Sequence, residues 1–157
     1  MAKRSYANDA IRVLWDSSRC IHSGLCLENA PVVFNLDTKP WVTIDGADAD
    51  RIAWTIEQCP SGALRYERLD GERQETPPPT TSITPWPGGP LLVRGDISIR
   101  DARERPIAAG YRMALCRCGA SENHPFCDLS HSRIGFRSAP HGVSENRKTA
   151  EKPSDLS

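Results

Sequence analysis

Pro77, Pro78, Pro79, Pro85, Pro87 and Pro90 crowd one short stretch of this 157-residue chain, with Gly88 and Gly89 among them. Proline has a fixed φ and no backbone N–H, so such a stretch offers no regular hydrogen-bond ladder and should run as an extended, semi-rigid connector. It leaves Cys20, Cys26 and Cys59 on one side and Cys116, Cys118 and Cys127 on the other. Composition therefore divides the chain into a first unit at 8–69, a connector at 70–90, a second unit at 91–137 and a tail at 138–157. The tail is polar and aperiodic and is expected to be disordered. Trp86 is expected to pin the connector onto one of the units.

Units this small bury little, and with 38% hydrophobic and 6% aromatic residues the cores should be thin. Thin cores need staples such as disulfides or metals. Met1 to Ala10 is polar and carries no signal-peptide core, which points to the cytosol, where thiols stay reduced. Six cysteines in that setting read as metal ligands rather than disulfide partners. A formal net charge of zero argues against a nucleic-acid or membrane-surface partner. The apolar runs are far too short to span a bilayer.

Periodicity predicts an α+β protein of two small domains. The first is an α/β unit in the order β-α-β-α-β. Ile11, Val13 and Trp15 alternate as a half-buried strand; Cys20 to Cys26 is a loop; Leu25 to Ala30 makes one or two helical turns ended by Pro31. Trp41 to Ile44 reads as a short strand. Asp48 to Gln58 reads as a helix with Ile52, Ala53 and Ile56 on one face and Asp45 or Asp48 as N-cap. Ala63 to Tyr66 then closes the sheet. The second domain is mostly β with a short helix: Leu91–Val93 and Ile97–Ile99 flank a turn or bulge at Arg94-Gly95-Asp96, and Tyr111–Leu115 leads directly into Cys116.

The second cysteine group reads Cys116-x-Cys118, then Cys127-Asp128-Leu129-Ser130-His131. Cys-x-Cys sets two thiolates on one side of an extended chain, and Cys127 and His131, four apart, project from one face of a helical turn. Three sulfurs and a nitrogen can thus converge. A Cys₃His zinc staple is the bland reading, although zinc sites favour wider Cys spacings. The pattern C-x-C-x2-S-x3-P-x-C-D-L-S-H resembles the CDGSH, or NEET-type, iron–sulfur family at Cys116, Cys118, Ser121, Pro125, Cys127, Asp128, Ser130 and His131. The strand region from Gly89 to Leu115 is also similar to bacterial members.

That resemblance implies a 2Fe–2S cluster held by Cys116, Cys118, Cys127 and His131. Leu129 departs from the family, which usually has Gly there. A neutral imidazole in place of a fourth thiolate leaves a cluster less negative and should raise its potential. It should also couple reduction to proton uptake and make the cluster labile in acid. Asp128 is expected to cap the turn carrying His131, Ser121 to brace the loop, and His124 to be an ordinary loop residue.

The first group reads Cys20-Ile-His22-Ser23-Gly24-Leu25-Cys26, with Cys59-Pro60-Ser61-Gly62-Ala63-Leu64 much later. Bacterial ferredoxins hold a cubane with Cys-x2-Cys-x2-Cys and a remote Cys-Pro. Here Ser23 stands at the middle loop position. Over Ile11 to Glu67 the chain resembles the divergent single-cluster ferredoxin-like domain. The resemblance implies a second cluster on Cys20, Cys26 and Cys59: either 3Fe–4S, or 4Fe–4S with a fourth iron on His22, Ser23, water or an external ligand. The competing reading is that these thiols are small buried hydrophobes.

The sequence has no nucleotide-binding glycine loop, no Ser/His/Asp arrangement and no spare cysteine nucleophile, so a non-enzyme is expected. A small soluble iron–sulfur protein that transfers electrons to redox partner proteins is the leading expectation. Storage of clusters, or their transfer to apo-protein acceptors, is the alternative, and a zinc-stapled interaction module a third. A homodimer through exchanged Leu91–Leu115 strands competes with packing supplied by the first domain.

Overall fold

A computed structural model describes residues 3–139. Lys3–Ala7 (β1) and Ile11–Asp16 (β2) form an antiparallel pair, and Leu64–Arg68 (β3) joins the other edge of β2, giving the order β1-β2-β3. Val13 lies opposite both Tyr6 and Tyr66. Ile11 and Val13 are fully buried, while along β3 Leu64 and Tyr66 are buried and Arg65 and Glu67 exposed. This is the two-residue period of a sheet with one face covered.

Leu25–Asn29 (α1) and Ala49–Glu57 (α2) supply the cover. Asp48 caps α2 by accepting from the Arg51 N–H at 2.8 Å. Ile52 and Ile56 are wholly buried beside Phe34, Val33 and Val42. Each such isoleucine contributes roughly 2 kcal/mol by leaving water, so the covered face of α2 holds the first half together.

Two local readings change. Trp41 to Ile44 is not a strand: Val42 makes only an isolated bridge to Phe34. Its apolar side chains face the core cluster and need no sheet neighbours to be buried. The strand β1 was not foreseen, because it is a polar edge whose stability comes from its pairing with β2. No helix among the described residues is long and apolar enough to cross a membrane.

The second half is an antiparallel sheet of Ser82–Pro85 (β4), Leu91–Arg100 (β5) and Pro106–Leu115 (β6), followed by the short helix Ser130–Arg133 (α3). The connector's end therefore does enter a ladder, contrary to the composition-based expectation. Ser82, Ile83 and Thr84 pair with Arg94, Val93 and Leu92, and Pro85 sits at the end of an edge strand, where a missing donor is tolerated. Leu91 to Arg100 is one strand whose register shifts between Arg94 and Ile97, so the bulge reading of Gly95 applies and the turn reading does not. Among the described residues the buried apolar set here is Val93, Met113, Ala114 and Cys127.

What such a small core lacks, the seam between the halves supplies. Arg112 of β6 is 3% exposed and reaches across to the Ile56, Cys59 and Leu64 carbonyls at 2.8, 2.7 and 3.0 Å. Glu75 of the connector pairs with the same guanidinium at 2.6 and 2.9 Å. The Asn123 amide donates to the Ser18 carbonyl at 3.0 Å, and Arg94 to that of Glu57 at 2.9 Å. Gly62, at φ +66°, lets the Arg112 carbonyl approach so closely that a side chain there would collide.

Glu75, not Trp86, thus anchors the connector. Trp86 is 56% exposed and is held through its backbone, its carbonyl accepting from Arg117 at 2.6 Å. Arg117 also donates to Ser138 Oγ at 2.6 Å, which in turn accepts from the Gly88 N–H at 2.7 Å. The first residue assigned to the tail is thereby tied down; the expectation of disorder from residue 140 onward lies outside the described residues.

Candidate metal centres

Strand β6 delivers Cys116 to the second site. The Cys116 N–H donates to the Pro125 carbonyl and the Cys127 N–H to that of Ala114, both at 2.9 Å, folding the intervening loop back onto the strand end. Ser121 Oγ braces that loop as expected, donating to the Phe126 carbonyl at 2.7 Å and accepting from the Asn123 N–H at 3.0 Å. Asp128 accepts from the Ser130 N–H at 3.0 Å and the Glu122 N–H at 2.9 Å. Hydrogen bonds from Ser130 and Glu122 hold its carboxyl well below the usual carboxylate range. It ties the turn that begins α3 to the start of the loop.

Cys116, Cys118, Cys127 and His131 line one pocket. Cys116 Sγ and Cys118 Sγ are 3.9 Å apart, and Cys127 Sγ lies 3.4 Å from His131 Nδ1. Two donors on one tetrahedral metal, at bond lengths of about 2–2.3 Å, stand roughly 3.5–3.8 Å apart. The site is thus two ligand pairs, each spaced for one metal atom, and no three such side chains among the described residues close around a single ion. The donors fit a core with more than one metal.

Backbone amides reinforce the sulfurs: Ala120 N–H points at Cys118 Sγ and Leu129 N–H at Cys127 Sγ, each at 3.4 Å. Burial raises the Cys127 thiol despite the Leu129 amide. Burial also pushes His131 below its ordinary value, with Asp128 opposing. Leu129 holds φ +70°, the left-handed conformation that glycine adopts at least cost. Its side chain is not part of the pocket lining.

Tertiary structure, not a local loop, assembles the first site. Cys20 follows a single 3-10 turn at Ser17–Arg19, Cys26 lies in α1, and Cys59 comes just after α2. All three face a cavity of about 790 Å³ that Trp15 and Trp41 help to wall. His22 and Ser23 also line it from the exposed rim. His22, at φ +54°, places Nδ1 3.8 Å from Cys20 Sγ.

The three thiols differ sharply. Burial raises Cys20, and burial with the neighbouring Cys59 pushes Cys26 up to about 11. Burial acts on Cys59 in the same sense, but the Leu64 amide, the Arg112 cation and Ser61 outweigh it and bring its thiol below the ordinary value. Three sulfurs facing a roomy cavity, one held below its ordinary value and all able to lose a proton to bound iron, fit a polynuclear core.

Sequence reading missed Arg112, Glu75 and Arg19. Arg19 stacks on Phe126 with 4.6 Å between guanidinium carbon and ring centroid. Its place beside Cys20 was the one signal available. Arg112 and Glu75 carry none, since their partners are backbone carbonyls and each other across the seam.

A family model described as a divergent 4Fe-4S mono-cluster matches residues 6–69, and one described as an iron-binding zinc finger of CDGSH type matches residues 88–132. The chain is also 40% identical over 63 residues to the protein named "Uncharacterized protein YjdI" of Escherichia coli strain K12, a match covering 40% of this chain and 83% of that protein. The YjdI protein of Escherichia coli O157:H7 matches with the same identity and coverage.

Proposed function

We propose, from a chain that belongs to the divergent 4Fe-4S mono-cluster family in its first half and to the CDGSH iron-binding family in its second, that this iron–sulfur protein is a soluble two-cluster electron carrier. Iron–sulfur clusters supply one-electron chemistry whose potential follows ligand charge, hydrogen bonds to sulfur and exposure. Cys116 and Cys118 hold one iron of a 2Fe–2S unit and Cys127 and His131 the other, a division supported by the two pair distances of 3.9 and 3.4 Å. Cys20, Cys26 and Cys59 hold a 3Fe–4S or 4Fe–4S unit, with His22 and Ser23 placed on the rim for a fourth iron.

The observation that carries the reading is a short path across the seam. Cys20 is bonded to Arg19, Arg19 stacks on Phe126, and Phe126 is bonded to Cys127. One through-space contact therefore separates a ligand of each site. Storage alone would not require the two sites to abut. The chain acts as a carrier for protein partners and not as an enzyme; the cavity of the first half is accounted for by its cluster.

Iron and acid-labile sulfide on protein purified without oxygen come first. About six sulfides with five or six irons per chain are expected, the iron count separating 3Fe–4S from 4Fe–4S; zinc without sulfide overturns the reading. Partial reduction followed by freeze-quench EPR then asks whether electrons redistribute between the clusters within one chain. Incubation with an apo-ferredoxin completes the test. Retention of both clusters is expected, and movement of the His-ligated cluster's absorbance to the acceptor would favour delivery instead.

A further inference from the structure

The seam holds a buried cation that has no ion pair of its own among the described residues. Arg19 is 9% exposed, its Nε and Nη2 are closed to solvent, and neither nitrogen has a hydrogen-bond partner. The face of its guanidinium lies on the Phe126 ring, 4.6 Å from carbon to centroid. Asp16 is the nearby carboxylate and tempers the charge. It accepts, however, from the Ser18 N–H at 3.0 Å and from Ser18 Oγ, and its ion pair is with Lys3 Nζ at 3.9 Å. Glu75 is committed to Arg112. Arg65 and Arg112 add two more cations to the surroundings of Arg19.

Arginine keeps its proton inside proteins, so this group cannot shed the cost of burial by neutralising. Its unmet donors mean that the fold does not retain it for hydrogen bonds, and what remains is the charge. Its place gives that charge two neighbours. On one side Arg19 is bonded to Cys20 and lies near enough to the Cys59 thiol for their charges to interact. On the other it touches Phe126, which is bonded to Cys127, while the Asn123 amide donates to the Ser18 carbonyl at 3.0 Å and holds the two segments together. Each centre gathers three thiolates, and every electron added makes it more negative. A unit charge roughly 12 Å from a one-electron centre, at an effective dielectric of about 20, shifts its reduction equilibrium by about tenfold. A cation shifts it toward the reduced state.

We propose that Arg19 is the shared counter-charge of both metal centres, a fixed cation in the seam that favours the reduced state of each. The step it acts on is the arrival of one electron from a reductant; no bond breaks, and the guanidinium keeps its proton throughout. The proposal rests on the two-cluster reading for the presence of both clusters, and is indifferent to which partner they serve. It makes the seam more than a contact between halves: one side chain sets the potentials of two sites whose ligands belong to different domains.

Redox titration of the anaerobically purified full chain, followed by EPR, tests this. In Arg19→Gln both clusters should become harder to reduce by about tenfold, a fall of about 59 mV for a one-electron couple. Arg19→Lys keeps the charge and gives up the planar stack on Phe126, so both potentials should stay close to those of the natural chain. A merely structural role would instead move the Lys and Gln variants alike, and that result would overturn the proposal. So would potentials unchanged in Arg19→Gln, or a fall confined to the first cluster, which would leave Arg19 as a counter-charge to its own domain alone. Arg19→Met fills a similar volume without charge, a replacement that buried ions often tolerate, and keeps the test valid if Arg19→Gln does not take up its clusters. Iron and sulfide are measured on each sample in parallel. Their absence from the natural chain would sink the two-cluster reading and this proposal together, whereas full clusters with unmoved potentials would sink this proposal alone.

Discussion

The two cysteine sites share a chain and a chemistry but are built in opposite ways. The second is local: one loop, folded back on the end of β6 by the Cys116 and Cys127 amides and tied by Ser121 and Asp128, carries every candidate donor. The first draws its thiols from a turn, a helix and the end of another helix, and closes only when α2 and β3 have docked. Local ligands tolerate a poor core, which is what the second half has; distributed ligands need a good one, which is what the first half has. The lesson is that the metal staples the weaker domain while the stronger domain positions the metal.

Arg112 is where the two designs meet, and removing it should separate them most. Arg112→Ala leaves Glu75 half-buried without its partner and strips donors from the Ile56, Cys59 and Leu64 carbonyls. Breaking a buried pair from one side costs about 3–5 kcal/mol. Chemical denaturation should register that loss. Sulfide should fall toward the complement of the second site alone, because Cys59 loses both its carbonyl anchor and the cation that favours its thiolate. Equal loss from both sites would show that the second is not self-sufficient.

A smaller effect sharpens the contrast from the other side. His131→Cys replaces a neutral donor with a thiolate, so the cluster becomes more negative and its potential falls. The pH dependence should change with it. Burial lowers the His131 pKa below its ordinary value of 6.5, so the unfolded or released imidazole binds protons more readily than the seated one. The site is then fully favoured above the ordinary value and weakens as pH falls through it toward the lower folded value. Cluster absorbance of the natural chain should decay over that acid window, and that of His131→Cys should persist below it. The first site should bleach at the same pH in both proteins; a shift there would mean the sites titrate as one.

Legibility from sequence followed the same division. The donors and braces of the second site sit within one motif, so Cys116, Cys118, Cys127, His131, Ser121 and Asp128 could be placed and given roles from spacing and resemblance. For the first site the sequence pointed to Cys20, Cys26 and Cys59 but not to the breadth of the cavity they face, which depends on where Trp15 and Trp41 come to lie. The helix at Ala49–Glu57 was readable because its cap and apolar face are local, whereas Trp41 to Ile44 looked like a strand because apolar residues satisfied by a core and by a sheet read alike. The connector misled most. Its prolines announce extension, yet Glu75 and Ser82–Thr84 bind it into the fold through partners many residues away.

Leu129 provides the mildest test and the one most specific to the local design. An L-residue held at φ +70° pays roughly 1 kcal/mol that glycine does not. Glycine in turn gives back part of that gain through its more disordered unfolded chain. Leu129→Gly should therefore stabilise the turn before α3 by about 0.5 kcal/mol, raising the melting temperature followed through the second cluster's absorbance by a few degrees. The Leu129 amide still faces Cys127 Sγ, so the potential should hold. A lowered melting temperature would instead mean that the half-buried leucine side chain shields the site and that its packing outweighs the strain of its backbone. In that case even the local site draws stability from beyond its own turn, and the division between a stapled domain and a positioning one is a matter of degree.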